Sequence, residues 1–144
     1  MSWTTTLVHG LAEYLAAAGV AVYRPTGVYH DDEVGIVIGV VPVSPPRVVV
    51  LTSYPLSDDV DQADSVLGLQ VRARGASSDP REALDLVDAV FDALHGAAHL
   101  DLAGALVHLA ERTASLPMGR DQSGRYEHAD TYQLTAHRPT RHRT

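Results

Sequence analysis

Leu7, Leu11, Tyr14, Leu15 and Ala18 recur at the spacing of one helix face, with Thr4, Thr5 and Thr6 placed to cap its start and Gly19 to end it. A first helix of about four turns is predicted there. Beyond it the period changes. Residues 20–23 read as a short strand stopped by Pro25, and residues 35–41 form an unbroken, largely β-branched run of the kind found in a strand covered on both faces. Pro42, Pro45 and Pro46 interrupt it, residues 47–52 form a second such strand, and residues 55–64 read as an acidic loop. Residues 66–75 alternate: Leu67, Leu69, Val71 and Ala73 point one way, Gln70, Arg72 and Arg74 the other.

A second helix has the clearest local signal. Asp79 is its N-cap, Pro80 its first residue and Glu82 the return partner of a capping box. Ala83, Leu84, Val87, Val90, Phe91 and Leu94 make its apolar stripe, with Asp85, Asp88 and Asp92 opposite and Gly96 as the stop. Residues 104–112 and 114–120 read as strands, 121–124 (DQSG) as a hairpin turn, and 125–137 as a long strand. On that last strand Tyr126, His128, Asp130, Tyr132, Leu134 and Ala136 share one side. The predicted fold is α+β: a single mixed or antiparallel sheet of six or seven strands, with two helices packed on one face. One domain spans residues 1–138, and 139–144 form a basic C-terminal tail. Two helices cannot cover both faces, so the face carrying Gln70, Arg72, Arg74, Gln133 and Thr135 is left for solvent or a partner.

Composition narrows the function. The absence of cysteine removes disulfides, thiolate metal sites and cysteine nucleophiles. A net charge of −7 argues against binding nucleic acid by counterion release. All eleven basic residues are arginine, whose planar fork suits interfaces. The N-terminal stretch has no basic residue before its apolar positions, and the longest apolar run is far short of the roughly 20 residues of a membrane span. A soluble protein made in a cytoplasm, with no membrane partner, is expected.

Candidate chemistry is sparse. His95 and His99 have a helical metal spacing, but Gly96 falls between them and no Glu or third ligand sits at a zincin position. His30, Asp31, Asp32 and Glu33, like Asp58, Asp59, Asp61 and Asp64, lack the alternation of a calcium loop. Ser123 lies in a turn, no nucleophile elbow or phosphate loop is present, and lysine is absent. No catalytic, cofactor-binding or metal-binding residue is therefore assigned, and no enzyme or cofactor is expected. A metal-dependent enzyme built on His30, Asp31 and the 58–64 loop is the alternative of a different class, and a small antitoxin-like binding module is another. The residues singled out are candidates for a subunit interface or a lumen: Arg72 and Arg74 on one strand, and Arg120, Asp121 and Arg125 around the hairpin turn.

Two stretches, QVRARG followed by DPREALDLVDAVFDALHG within 70–96 and LPMGRDQSGRYEHADTY at 116–132, together resemble the tail terminator proteins of tailed bacteriophages. The resemblance spans roughly residues 5–138. It implies an α+β sheet with two helices and no catalytic residues. It also implies a virion protein assembled in the host cytoplasm as a homo-oligomeric, usually hexameric, ring on the head-proximal end of the tail tube. There such proteins end tube polymerisation and join the tail to the head connector and neck proteins, while double-stranded DNA passes through without specific binding. A neck or head-completion protein of the same particles is the nearest alternative.

Overall fold

The computed structural model describes residues 1–144. Helix α1 (Trp3–Ala17) is followed by strands β1 (Val22–Tyr23), β2 (Val34–Ile38), β3 (Arg47–Asp58) and β4 (Asp64–Arg74), helix α2 (Pro80–Leu94), and strands β5 (Ala98–Leu102), β6 (Ala105–Arg120) and β7 (Tyr126–His137). The seven strands form one sheet in the order β1-β2-β3-β4-β7-β6-β5, curled as a half-barrel. The β1–β2 and β2–β3 pairs are parallel and the rest antiparallel, so the sheet is mixed. The predicted α+β class, with one sheet and two helices, is what the chain adopts.

Both helices bury their stripes on the same face. Leu7, Leu11 and Leu15 of α1 and Val90 and Leu94 of α2 join Val49, Leu51, Leu69, Val71, Tyr132, Leu134, Val107 and Ala110 in one core. Leu69, Val71, Tyr132 and Leu134 are alternate positions that the sequence pattern placed on one side of their strands, because successive strand side chains point to opposite sides. The Tyr14 hydroxyl donates to the Ala93 carbonyl at 2.7 Å and ties the helices together. Gly10 lets α1 approach β5: a Cβ there would lie 2.7 Å from Leu102 Cβ and 3.3 Å from its Cα and carbonyl oxygen. Gly10→Ala would gain about 1 kcal/mol of helix propensity and meet an overpacking cost of about 1–3 kcal/mol. Backbone cannot swing aside, so the clash wins. We expect a melting temperature lowered by a few degrees, and further by Gly10→Val. A thermal scan in which Gly10→Ala raises it would contradict this contact.

Several boundaries differ from the pattern-based expectation. Ser2, not the threonine run, caps α1, its hydroxyl accepting from the Thr5 N–H. Strand β2 stops at Ile38 because Gly39 takes a positive φ of 79°. Strand β3 runs to Asp58 through a bulge between Pro55 and Ser57, so the first half of the expected acidic loop is strand. The strands expected at 104–112 and 114–120 are one, β6, which passes Thr113 by a register shift rather than a turn. Strand β5 was not anticipated, although Ala98, Leu100 and Leu102 alternate with His99 and Asp101; the run is only five residues long and mostly exposed. At α2, Asp79 does cap, accepting from the Arg81 N–H. Glu82 does not close a capping box: it takes a hydrogen bond from Arg47 Nε instead, pinning α2 to the start of β3. Leu84 faces solvent, and Leu86 packs on the core in its place.

Candidate assembly surface

The strands define two ends. At the hairpin end lie the starts of β3 and β7 and the finishes of β4 and β6, closed by residues 121–125. On the sheet face away from the helices, the hairpin end is not open. The segment 39–46 folds over it, held by Arg74. That side chain is 2% exposed, and its guanidinium donates to the carbonyl oxygens of Pro42 (2.7 Å), Pro45 (2.8 Å), Pro46 (2.9 Å) and Val43 (3.4 Å). Burial lowers its pKa, with the charge of Arg125 acting in the same direction. Arginine nevertheless stays charged at neutral pH, so four oriented carbonyl dipoles replace the missing counterion.

Arg72, Arg125, Asp121 and Glu127 line a groove of about 300 Å³ beside it. Arg72 grips Glu127 with both Nε (2.7 Å) and Nη2 (3.0 Å). Asp121 accepts the N–H groups of Ser123 and Arg125, each at 2.9 Å, and Arg125 Nε at 2.9 Å. Arg125 reaches on to the Val43 carbonyl at 2.8 Å. These donors, the Arg125 N–H first, hold the Asp121 carboxyl below its ordinary 3.8. A carboxylate depressed by folding stabilises the fold above its unfolded pKa, and that contribution is lost as pH falls through the lowered value. Of the five singled-out residues, the structure thus brings Arg72, Arg74, Asp121 and Arg125 together and satisfies each within the chain. Arg120 stands apart at the last position of β6, exposed and without an ion pair.

Other candidates separate. His30 to Glu33 precede β2 at the hairpin end, while Asp58 to Asp64 turn at the far end, about 36 Å away along a strand of twelve residues at about 3.3 Å per step. Glu33 is committed to Arg24 at 2.5 Å and to the His30 N–H at 2.7 Å, the arginine foremost in lowering its pKa to about 2. The alternative site joining these two clusters does not form. His95 Nδ1 accepts the Arg112 N–H, and His99 lies past the helix at a φ of 56°.

Sequence reading missed a polar set at the β6–β7 pair. The Ser115 hydroxyl lies 2.8 Å from His128 Nε2 and 2.5 Å from Asp130 Oδ1, and Arg112 Nη1 meets Asp130 Oδ2 at 3.3 Å. A serine nucleophile needs the acid on the far ring nitrogen from the serine. Here serine and carboxylate crowd the same nitrogen, and His128 Nδ1 is buried without a partner. The set is a strand-to-strand clamp around a buried aspartate; Arg112 also covers the Phe91 ring at 4.2 Å, fixing α2 to the sheet. Only the register of β6 against β7 brings these residues together, so no local motif announced them.

What remains unsatisfied is backbone edge. Strand β2 pairs with β3 only as far as Leu51, leaving residues 52–58 with one open edge. Strand β5 pairs with β6 only as far as Leu109, and residues 113–120 have an open edge too. The two lie at opposite sides and opposite ends of the sheet. Both carry exposed apolar side chains: Leu56 (53% exposed) beside Tyr54, and Leu116 (63%) beside Met118.

The bacteriophage tail terminator protein family model matches residues 14–138 of this chain. The chain belongs to that family. It is therefore a structural protein of the phage particle. Among solved structures, a chain of the virion of a native gene transfer agent particle is similar in fold, with a TM-score of 0.55 at 18% identity. The likeness covers 85% of this chain and 84% of that one. Of the curated proteins, none matches in sequence.

Proposed function

We propose that this tail terminator family member closes into a homo-oligomeric ring of about six copies on the head-proximal end of the tail tube. There it stops tube growth and provides the joint to the head connector. The observation that carries this reading is the pair of open strand edges at opposite corners of the sheet. Two different patches on one molecule, each complementary to the other, give a head-to-tail contact, and such a contact closes into a ring when its rotation allows. An unpaired edge with exposed apolar side chains is a liability in a lone subunit and an asset at a joint.

Charge supports the same pairing. The β3 edge ends in Asp58, with Asp59 and Asp61 in the turn beyond it, whereas the β6 edge ends in the unpaired Arg120. Complementary charge fixes register and partner more than affinity. Arg120 is thus the interface residue among the five. Arg72, Arg74, Asp121 and Arg125 shape the hairpin end that presents it, with Arg72, half-exposed in its groove, the one of these four open to a neighbouring copy or to the lumen. The net charge of −7 suits a pore through which DNA slides without sticking.

The test is omission. Tail tubes assembled without this protein should grow without a fixed length, and adding it back should restore one length and place ring density at the head-proximal tip. Tubes of unchanged length, with the protein located beside the portal instead, would transfer the chain to the neck.

A further inference from the structure

We propose a second, chemically distinct site on this chain: a binding site for a divalent transition metal ion, zinc foremost, formed by Asp64, His108 and His137 at the far end of the sheet. The ligand atoms of these three side chains all lie within 4.8 Å of one another. They come from three adjacent strands. Asp64 opens β4 directly opposite His137 near the end of β7, so the two project from the same face. His108 occupies the register shift of β6 between Val107 and Leu109, and this extra residue swings its ring against that of His137, with centroids 6.1 Å apart.

Two imidazoles and one carboxylate are three protein ligands of an open four-coordinate zinc site, and imidazole nitrogen favours zinc, cobalt and nickel over calcium or magnesium. Tetrahedral ligands about 2.1 Å from a metal lie about 3.4 Å from each other, so rotations of exposed side chains bring the three into place. No ion pair or side-chain hydrogen bond within the chain engages any of them. Neighbouring arginines are turned elsewhere: Arg138 stacks on the Trp3 ring at 5.0 Å, and Arg143 meets Asp58 and Ser65. Ladder pairing fixes the backbone beneath all three ligands, which pre-organises the site. Asp64 and His108 are exposed, leaving a fourth position open to water.

The test is calorimetric titration of the full chain with zinc chloride, repeated with cobalt chloride. One ion per chain is expected, with a zinc-induced rise in melting temperature. His108→Ala and His137→Gln should each weaken binding at least about tenfold and abolish that rise, as should Asp64→Asn to a lesser degree. His95→Ala and His99→Ala should leave zinc affinity and the zinc-induced rise unchanged, whatever they do to stability without the ion. Absence of zinc binding at hundred-micromolar concentrations, or equal binding by the His108 and His137 variants in folded form, would overturn the proposal.

Discussion

Arg74→Ala is expected to lower the unfolding free energy by about 3 kcal/mol, or about 10 °C in melting temperature. Four carbonyls of the 42–46 segment lose a charged donor at once, around a guanidinium that is itself buried. Charged hydrogen bonds are each worth about 1.5–3 kcal/mol, but losses within one network are not additive, which sets the lower total. Arg74→Met keeps the stem and its packing and should recover only part of the loss, because the Pro42, Pro45 and Pro46 carbonyls stay unpaired, Val43 alone keeping its donor from Arg125. Arg74→Lys should also fall short, since one ammonium cannot span four acceptors laid out for a planar fork. Urea unfolding of the three variants checks the order. Wild-type stability in the methionine variant would show that packing, not donation, holds the segment.

Arg74 also shows where sequence reading succeeded and where it stopped. The alternation in β4 placed it on the face away from the helices, and that is where it lies. What alternation cannot say is that the proline-rich stretch 39–46 returns across that face and encloses it. That depends on a non-local fold-back of an irregular segment, which has no periodicity to read. The same division holds elsewhere. Strong periods and the Asp79 cap located both helices and the central strands, because those signals are local. The continuity of β6 and the grouping of Ser115 with His128 and Asp130 follow only from inter-strand register, whereas β5 carries a five-residue alternation too short to stand out. The Asp121 turn was legible for the opposite reason: its partners lie within four residues.

Leu116→Glu is expected to weaken assembly by a factor of about one hundred or more while leaving the subunit's own stability nearly unchanged. Removing one buried leucine from a contact costs about 2 kcal/mol, and placing a carboxylate against the acidic β3 end of a neighbour adds to this. In the lone subunit the side chain is exposed, where substitutions stay within about 0.5 kcal/mol. Leu56→Glu should have a similar effect from the other side of the joint. The joint is head-to-tail, so each variant keeps one intact edge. A mixture of the two variants should form one-to-one dimers that neither grow nor close, seen by native mass spectrometry. A mixture that stays monomeric, or single variants that assemble like the parent, would remove these edges from the interface.

The most direct measurement is a cryo-electron microscopy map of the tail tip, resolved well enough to trace strands. A single ring of this chain is expected on the head-proximal end of the tube. In it, residues 113–120 of β6 in each copy lie against residues 52–58 of β3 in the next, with Arg120 facing the neighbour's aspartates. A ring in which both edges face solvent, or a particle in which the chain lies elsewhere, would contradict it.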